Sequence, residues 1–117
     1  LSCKKESSEL STNAKLAGKW QLFSEYGGVV GIYVPPANTI HHLTFSGNNT
    51  FESALNGKVQ TQGNYKVGMV KDVHSGYMTN ALSFNGGKLK VFSIKADTLS
   101  ISDNFTNGVA SNYTKVP

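Results

Sequence analysis

The chain of 117 residues holds eleven lysines, no arginine and seven acidic residues, a formal charge of +4 at pH 7, with 38% hydrophobic and 15% charged residues. That length gives one domain with one core, and a chain poor in Ala, Leu, Glu and Arg but rich in Gly, Ser, Thr and Asn points away from a helical bundle, toward short strands joined by tight turns. Without arginine there is no planar donor fork for phosphate or base edges, so the basicity reads as solubility and not as nucleic-acid binding, and no apolar run approaches the roughly 20 residues of a membrane-spanning helix.

Residues 1–15 are mostly Lys, Glu, Ser, Thr and Asn and bury too little apolar area to offset the entropy of ordering them, so they read as a tether. Cys3 is the only cysteine; an internal disulfide and a thiolate metal cluster are both excluded. Leu1-Ser2-Cys3-Lys4-Lys5-Glu6-Ser7-Ser8 resembles the junction of Bacteroidetes-type bacterial lipoproteins, where a signal peptide ends in Leu plus a small residue and the next cysteine is lipidated. The resemblance implies that Cys3 carries the lipid, that Leu1 and Ser2 are the end of the signal peptide, and that the chain is an outer-membrane lipoprotein of the cell envelope, facing the periplasm or the surface. A free thiol on a frayed terminus is the other reading of the same residues.

The first strand is expected over 19–26, with Trp20, Leu22 and Ser24 on one face and Lys19, Gln21, Phe23 and Glu25 on the other. Residues 27–38 follow as a long loop, because Gly27, Gly28, Gly31, Pro35 and Pro36 rule out a helix or a central strand although Val29, Val30, Ile32, Tyr33 and Val34 are apolar. A second strand, 39–45, places His41, Leu43 and Phe45 on one face; a third runs over 50–55. Asn56-Gly57 is the strongest hairpin signal in the chain, since both residues tolerate positive φ. It leads to a strand over 59–67, a loop over 68–76 and a strand over 77–84. Asn85-Gly86-Gly87-Lys88 turns the chain into 89–95, Ala96-Asp97 turns it into 98–102, and a loop with an Asn107-Gly108 turn precedes a last strand over 112–116. Phe92, Ile94, Leu99 and Ile101 share a face of the 89–102 hairpin.

Eight short antiparallel strands in neighbour-to-neighbour order leave two exposed edges unless they close, which predicts an all-β, eight-stranded up-and-down barrel over 16–117. Its interior is either filled by side chains or wide enough for one small ligand. Gly18-Lys19-Trp20 is similar to the Gly-x-Trp signature at the first strand of lipocalins, and with the lipoprotein-like start it makes residues 16–117 resemble a lipocalin-like domain without the C-terminal helix. The resemblance implies that Gly18 and Trp20 form the barrel floor, with Lys115 as the nearest basic residue to cover the indole where lipocalins place an arginine. It also implies a mouth covered by the loop after the first strand.

Little in the sequence points to catalysis or to a metal. His41 and His42 are adjacent in a strand and face opposite sides, and His74 lies in a loop, so they do not form a ligand set. There is no Gly-x-Ser-x-Gly elbow, the carboxylates are spread singly with Glu25 and Glu52 on solvent faces, and the Gly27–Gly31 segment opens no helix that cradles phosphate. The expectation is a non-enzymatic protein with no cofactor.

The resemblance implies binding of a small apolar or amphipathic molecule in or at the barrel mouth, with Ile32, Tyr33, Val34, His41 and Tyr77 as the candidate contacts. The alternative is an interaction module with a filled barrel that docks a cell-envelope protein through the 27–38 loop, which is long for a compact domain.

Overall fold

Period-two alternation and asparagine-glycine turns set nine strands in the computed structural model, which describes residues 15–27, 31–105 and 108–117. They are β1 (Gly18–Gly27), β2 (Gly31–Tyr33), β3 (His41–Phe45), β4 (Thr50–Leu55), β5 (Lys58–Lys71), β6 (Met78–Phe84), β7 (Lys90–Lys95), β8 (Thr98–Asp103) and β9 (Val109–Lys115). Every pairing is antiparallel. β1 and β3 to β9 follow one another around the sheet, and β9 pairs back onto β1 from Trp20–Lys115 to Gly27–Val109, which closes an eight-stranded up-and-down barrel. Closure removes both sheet edges from the barrel itself. The turns are those the sequence asks for: Asn56 and Gly57 sit at φ 50° and 83°, and Asn85 and Gly86 at 53° and 72°, the backbone of tight hairpins.

The expected loop over 27–38 holds a strand. β2 pairs with the end of β1 through Glu25–Tyr33, Tyr26–Ile32 and Gly27–Gly31, outside the barrel ring. It is an edge strand of three residues, short enough to precede the two prolines. The tether proposed for residues 1–15 falls, up to residue 14, outside the described residues, as do Cys3, Val29, Val30 and Asn107. β5 runs four residues beyond the expected Val67 because β6 supplies a backbone partner for Gly68, Met69, Val70 and Lys71 where side-chain alternation fades. β9 starts three residues early for the same reason, since the far half of β1 pairs with Val109, Ala110 and Ser111.

The core takes at least one buried residue from every barrel strand except β9, whose half-buried Tyr113 packs against it. Phe45 is its centre: its ring meets Tyr65 edge-on at 4.9 Å and stacks on Phe84 at 6.1 Å, and Phe84 in turn meets Phe51 at 4.6 Å. Phe92, Leu99 and Ile101 are all buried and Ile94 packs against them, as the alternation of the 89–102 hairpin requires.

The floor lies at the start of β1. Lys15 and Leu16 are helical, and Leu16 is fully buried under the barrel. Trp20 is 1% exposed, and its Nε1 donates to the Leu16 carbonyl at 2.8 Å. The Lys115 Nζ stands 4.7 Å from the indole centroid and donates to the Ala17 carbonyl at 2.6 Å, so an ammonium lies over the ring. Gly18, at φ 124°, lies so close to Lys115 that a Cβ there would stand 2.5 Å from Nζ.

Candidate functional site

β1 starts with Trp20 and Leu22 inward, and strict alternation then sends Ser24 inward and Glu25 out to solvent. The observed strand does the opposite. Its pairing with β9 shifts by one residue between Leu22 and Ser24, a bulge that leaves Phe23 exposed and unpaired. One extra residue reverses the phase of everything after it. Glu25 therefore turns into the barrel and Tyr26 turns out, and the expectation that Glu25 faces solvent is overturned.

Beyond the aromatic core the barrel is hollow. A cavity of about 620 Å³, open at the mouth, is lined from all eight barrel strands. Its apolar lining is Leu43, Phe51, Phe84, Ile101 and Val109, and its polar lining is Glu25, Ser53, Thr61, Asn85, Lys90, Asp103, Ser111 and Tyr113. Cross-strand pairing aligns the polar groups. Ser111 sits opposite Glu25 on β9 and its hydroxyl donates to Glu25 Oε2 at 2.6 Å. Lys90 sits opposite Asp103 across β7 and β8, with Nζ 2.5 Å from Oδ1, and the Val109 N–H donates to the other oxygen at 3.1 Å.

Burial pushes the Asp103 carboxyl up, but the hydrogen bonds from Lys90 and Val109 and the lysine's charge outweigh it, and the group titrates below the usual aspartate range. A carboxyl whose folded pKa lies below its unfolded value stabilises the fold above that unfolded value, about 4, and the contribution is lost as pH falls through the folded pKa. The urea midpoint is expected to drop on going from pH 5 to pH 2, and Asp103→Asn to show a shallower drop; equal slopes for the two proteins would contradict this. The Tyr113 phenol is pushed up to about 12, first by burial and then by the Glu25 charge, with a bond from Ser111 opposing. It is a neutral hydroxyl at every ordinary pH. Glu25, Asp103 and Lys90 leave the cavity with one net negative charge.

The residues expected to contact a ligand do not converge here. Tyr33 alone comes close: it is the cross-strand partner of Glu25, and the two line a recess of about 290 Å³ with Tyr26, Gly27, Gly31 and Val109 at the rim of the cavity. Ile32 and Val34 point to solvent, Ile32 at 72% exposure, and Tyr77, at the foot of β6, is 77% exposed. His41 shares the inward face with Leu43 and Phe45 but is only half-buried, at the first position of β3 opposite Leu55, and does not line the cavity. His42 faces the other way, and burial and then the Lys19 charge lower its pKa. Among the described residues no three His, Cys, Asp or Glu side chains stand close enough to hold a metal ion, and no helix is long and apolar enough to cross a membrane.

Glu25, Lys90, Asp103, Ser111 and Tyr113 were not singled out by sequence as binding residues. Glu25 and Ser111 are 86 residues apart, and barrel closure alone brings them together. The one local signal is Leu22-Phe23, two apolar residues in succession where alternation calls for one, which is how a bulge looks in sequence. Comparison with known protein families, with curated proteins and with solved structures finds no match.

Proposed function

We propose that this chain is a non-enzymatic carrier or sensor that holds one small amphipathic molecule in the mouth of its barrel. The observation that supports the reading is the 620 Å³ cavity whose lining mixes apolar side chains with hydroxyl, ammonium and carboxylate groups; this is the size and the lining of small-molecule sites. An interior packed solid would have no room for the polar pairs that project into it. The lipocalin-like Gly18-Lys19-Trp20 floor adds to the reading, and the lipoprotein-like start adds a place for it, the cell envelope, with Cys3 as the lipid anchor. A palmitate analogue that leaves Cys3 unlabelled in a related bacterium removes the anchor.

Trp20 is sealed beneath the core, so binding is better read from the ligand than from the indole. N-phenyl-1-naphthylamine, a neutral apolar dye, is expected to bind one to one with a blue-shifted, brighter emission. Ser53→Phe places a ring in the cavity and is expected to abolish that signal while leaving the melting temperature unchanged or higher, since filling a void adds contacts. A dye response that survives Ser53→Phe, or no response from the wild type, overturns the reading.

A second reading rests on the rim. Tyr26, Ile32 and Val34 are exposed side by side on β1, β2 and the segment after it, a surface suited to docking a cell-envelope protein. Loss of co-purification of such a partner in Ile32→Ser, with dye binding intact, would favour it over the carrier.

A further inference from the structure

We infer that the ligand of the barrel mouth carries an ammonium group, seated on the Glu25 carboxylate beside the rings of Tyr33 and Tyr113, with its apolar body against Phe51 and Phe84. The inference rests on the carrier reading above and adds the chemical class of the molecule.

Charge comes first. Of the three ionised groups lining the cavity, Lys90 and Asp103 neutralise each other at 2.5 Å, which leaves Glu25. Among the described residues its carboxylate has no ion-pair partner, and its hydrogen bond is to the Ser111 hydroxyl through Oε2. A carboxylate held in a half-enclosed site by one neutral hydroxyl has room for a further donor, and a cation is the strongest one.

Aromatic groups come second. Tyr33 is paired with Glu25 across β1 and β2, and directly paired residues project to the same face. On the other flank Tyr113 lies two residues from Ser111 on β9, hence on the same inward face, and its phenol responds to the Glu25 charge. Its hydroxyl is neutral, so it offers a ring face and no competing anion. A carboxylate flanked by tyrosine rings is the arrangement that holds alkylammonium groups, by charge and by the ring quadrupole together.

The third point is what the surroundings exclude. The whole chain is at +4, and a positive protein repels cations at long range. A preference for a cationic ligand therefore has to come from the site itself. An anionic head group would instead face Glu25, and the Lys90 ammonium is already taken by Asp103.

Three probes with one alkyl chain separate head group from body: decylammonium, 1-decanol and decanoate, titrated calorimetrically below their micellar concentrations at pH 7. Decylammonium is expected to bind at least about tenfold tighter than decanol, and decanoate weakest. Glu25→Gln keeps the size and an acceptor for Ser111, and is expected to bring ammonium and alcohol within about twofold of each other while decanol affinity holds. Tyr33→Leu, on a strand outside the barrel ring, narrows the ammonium margin without disturbing the fold and serves if the first variant does not fold. Decanol binding with no head-group ranking, or a ranking unchanged in Glu25→Gln, sinks the ammonium inference and leaves the carrier reading standing. Failure of all three probes on the wild type sinks both.

Discussion

Trp20→Ala is expected to lower the unfolding free energy by about 3–5 kcal/mol, out of the roughly 5–15 kcal/mol that a domain has to lose. The ring is 1% exposed and belongs to the same buried cluster as Leu16, Leu43 and Phe45, so its loss removes transfer free energy and leaves a cavity. Two polar consequences add to this. The Leu16 carbonyl loses the indole donor at 2.8 Å, and the Lys115 ammonium loses the ring it covers. Lys115→Met keeps the stem packing and removes only the charge; it is expected to cost about 1–2 kcal/mol, from the lost bond to the Ala17 carbonyl and the lost cation–π contact. Because the two residues touch, the double variant is expected to cost less than the sum of the single ones. Urea unfolding followed by far-ultraviolet circular dichroism reads all three. A Trp20→Ala protein within about 1 kcal/mol of the wild type would mean that the indole does not close the floor.

The start of β1 and the tight turns were legible because they are local. Gly18, Trp20 and the turn residue pairs Asn56-Gly57 and Asn85-Gly86 act through their own backbone or their nearest neighbours, and alternation of Phe92, Ile94, Leu99 and Ile101 settles which way a hairpin faces. Lys115 was reached only through the lipocalin resemblance, and the ammonium does cover Trp20. The mouth was not legible, for two physical reasons. The phase of β1 is broken by one unpaired residue, Phe23, and every inference carried across it by counting in twos comes out inverted, which is why Glu25 read as a surface residue. The Glu25–Ser111 pair, moreover, comes from β1 and β9, strands that meet only when the barrel closes. Tyr33 was read as a ligand contact from a loop; the structure places it beside the cavity on a strand, while Ile32, on the same three residues, turns outward by the ordinary alternation of β2.

Gly27→Ala is expected to be the most damaging small change at the mouth, at about 3 kcal/mol, although it adds one carbon to a site that is not buried in the core. Gly27 has φ 122°, a conformation essentially confined to glycine, and any side chain there is strained by about 1–3 kcal/mol. The added Cβ would also stand 2.5 Å from the Gly108 carbonyl oxygen. The obstacle is backbone, which cannot rotate away as the tip of Lys115 can at Gly18, so β1 and β9 must part. They part where Glu25 meets Ser111 and where β2 is hung on β1, and the same substitution should therefore weaken binding of an amphipathic probe at the mouth. Gly31→Ala is the matched control: it has φ 76° and open space around it, so it carries backbone strain without the collision and is expected to cost about 1 kcal/mol. A thermal melt and a probe titration on the two variants separate the effects. If Gly27→Ala loses no more stability than Gly31→Ala, the contact between β1 and the β8–β9 turn does not hold the mouth in shape. If it loses stability but binds the probe normally, the mouth tolerates the parting and the site lies deeper, against Phe51 and Phe84.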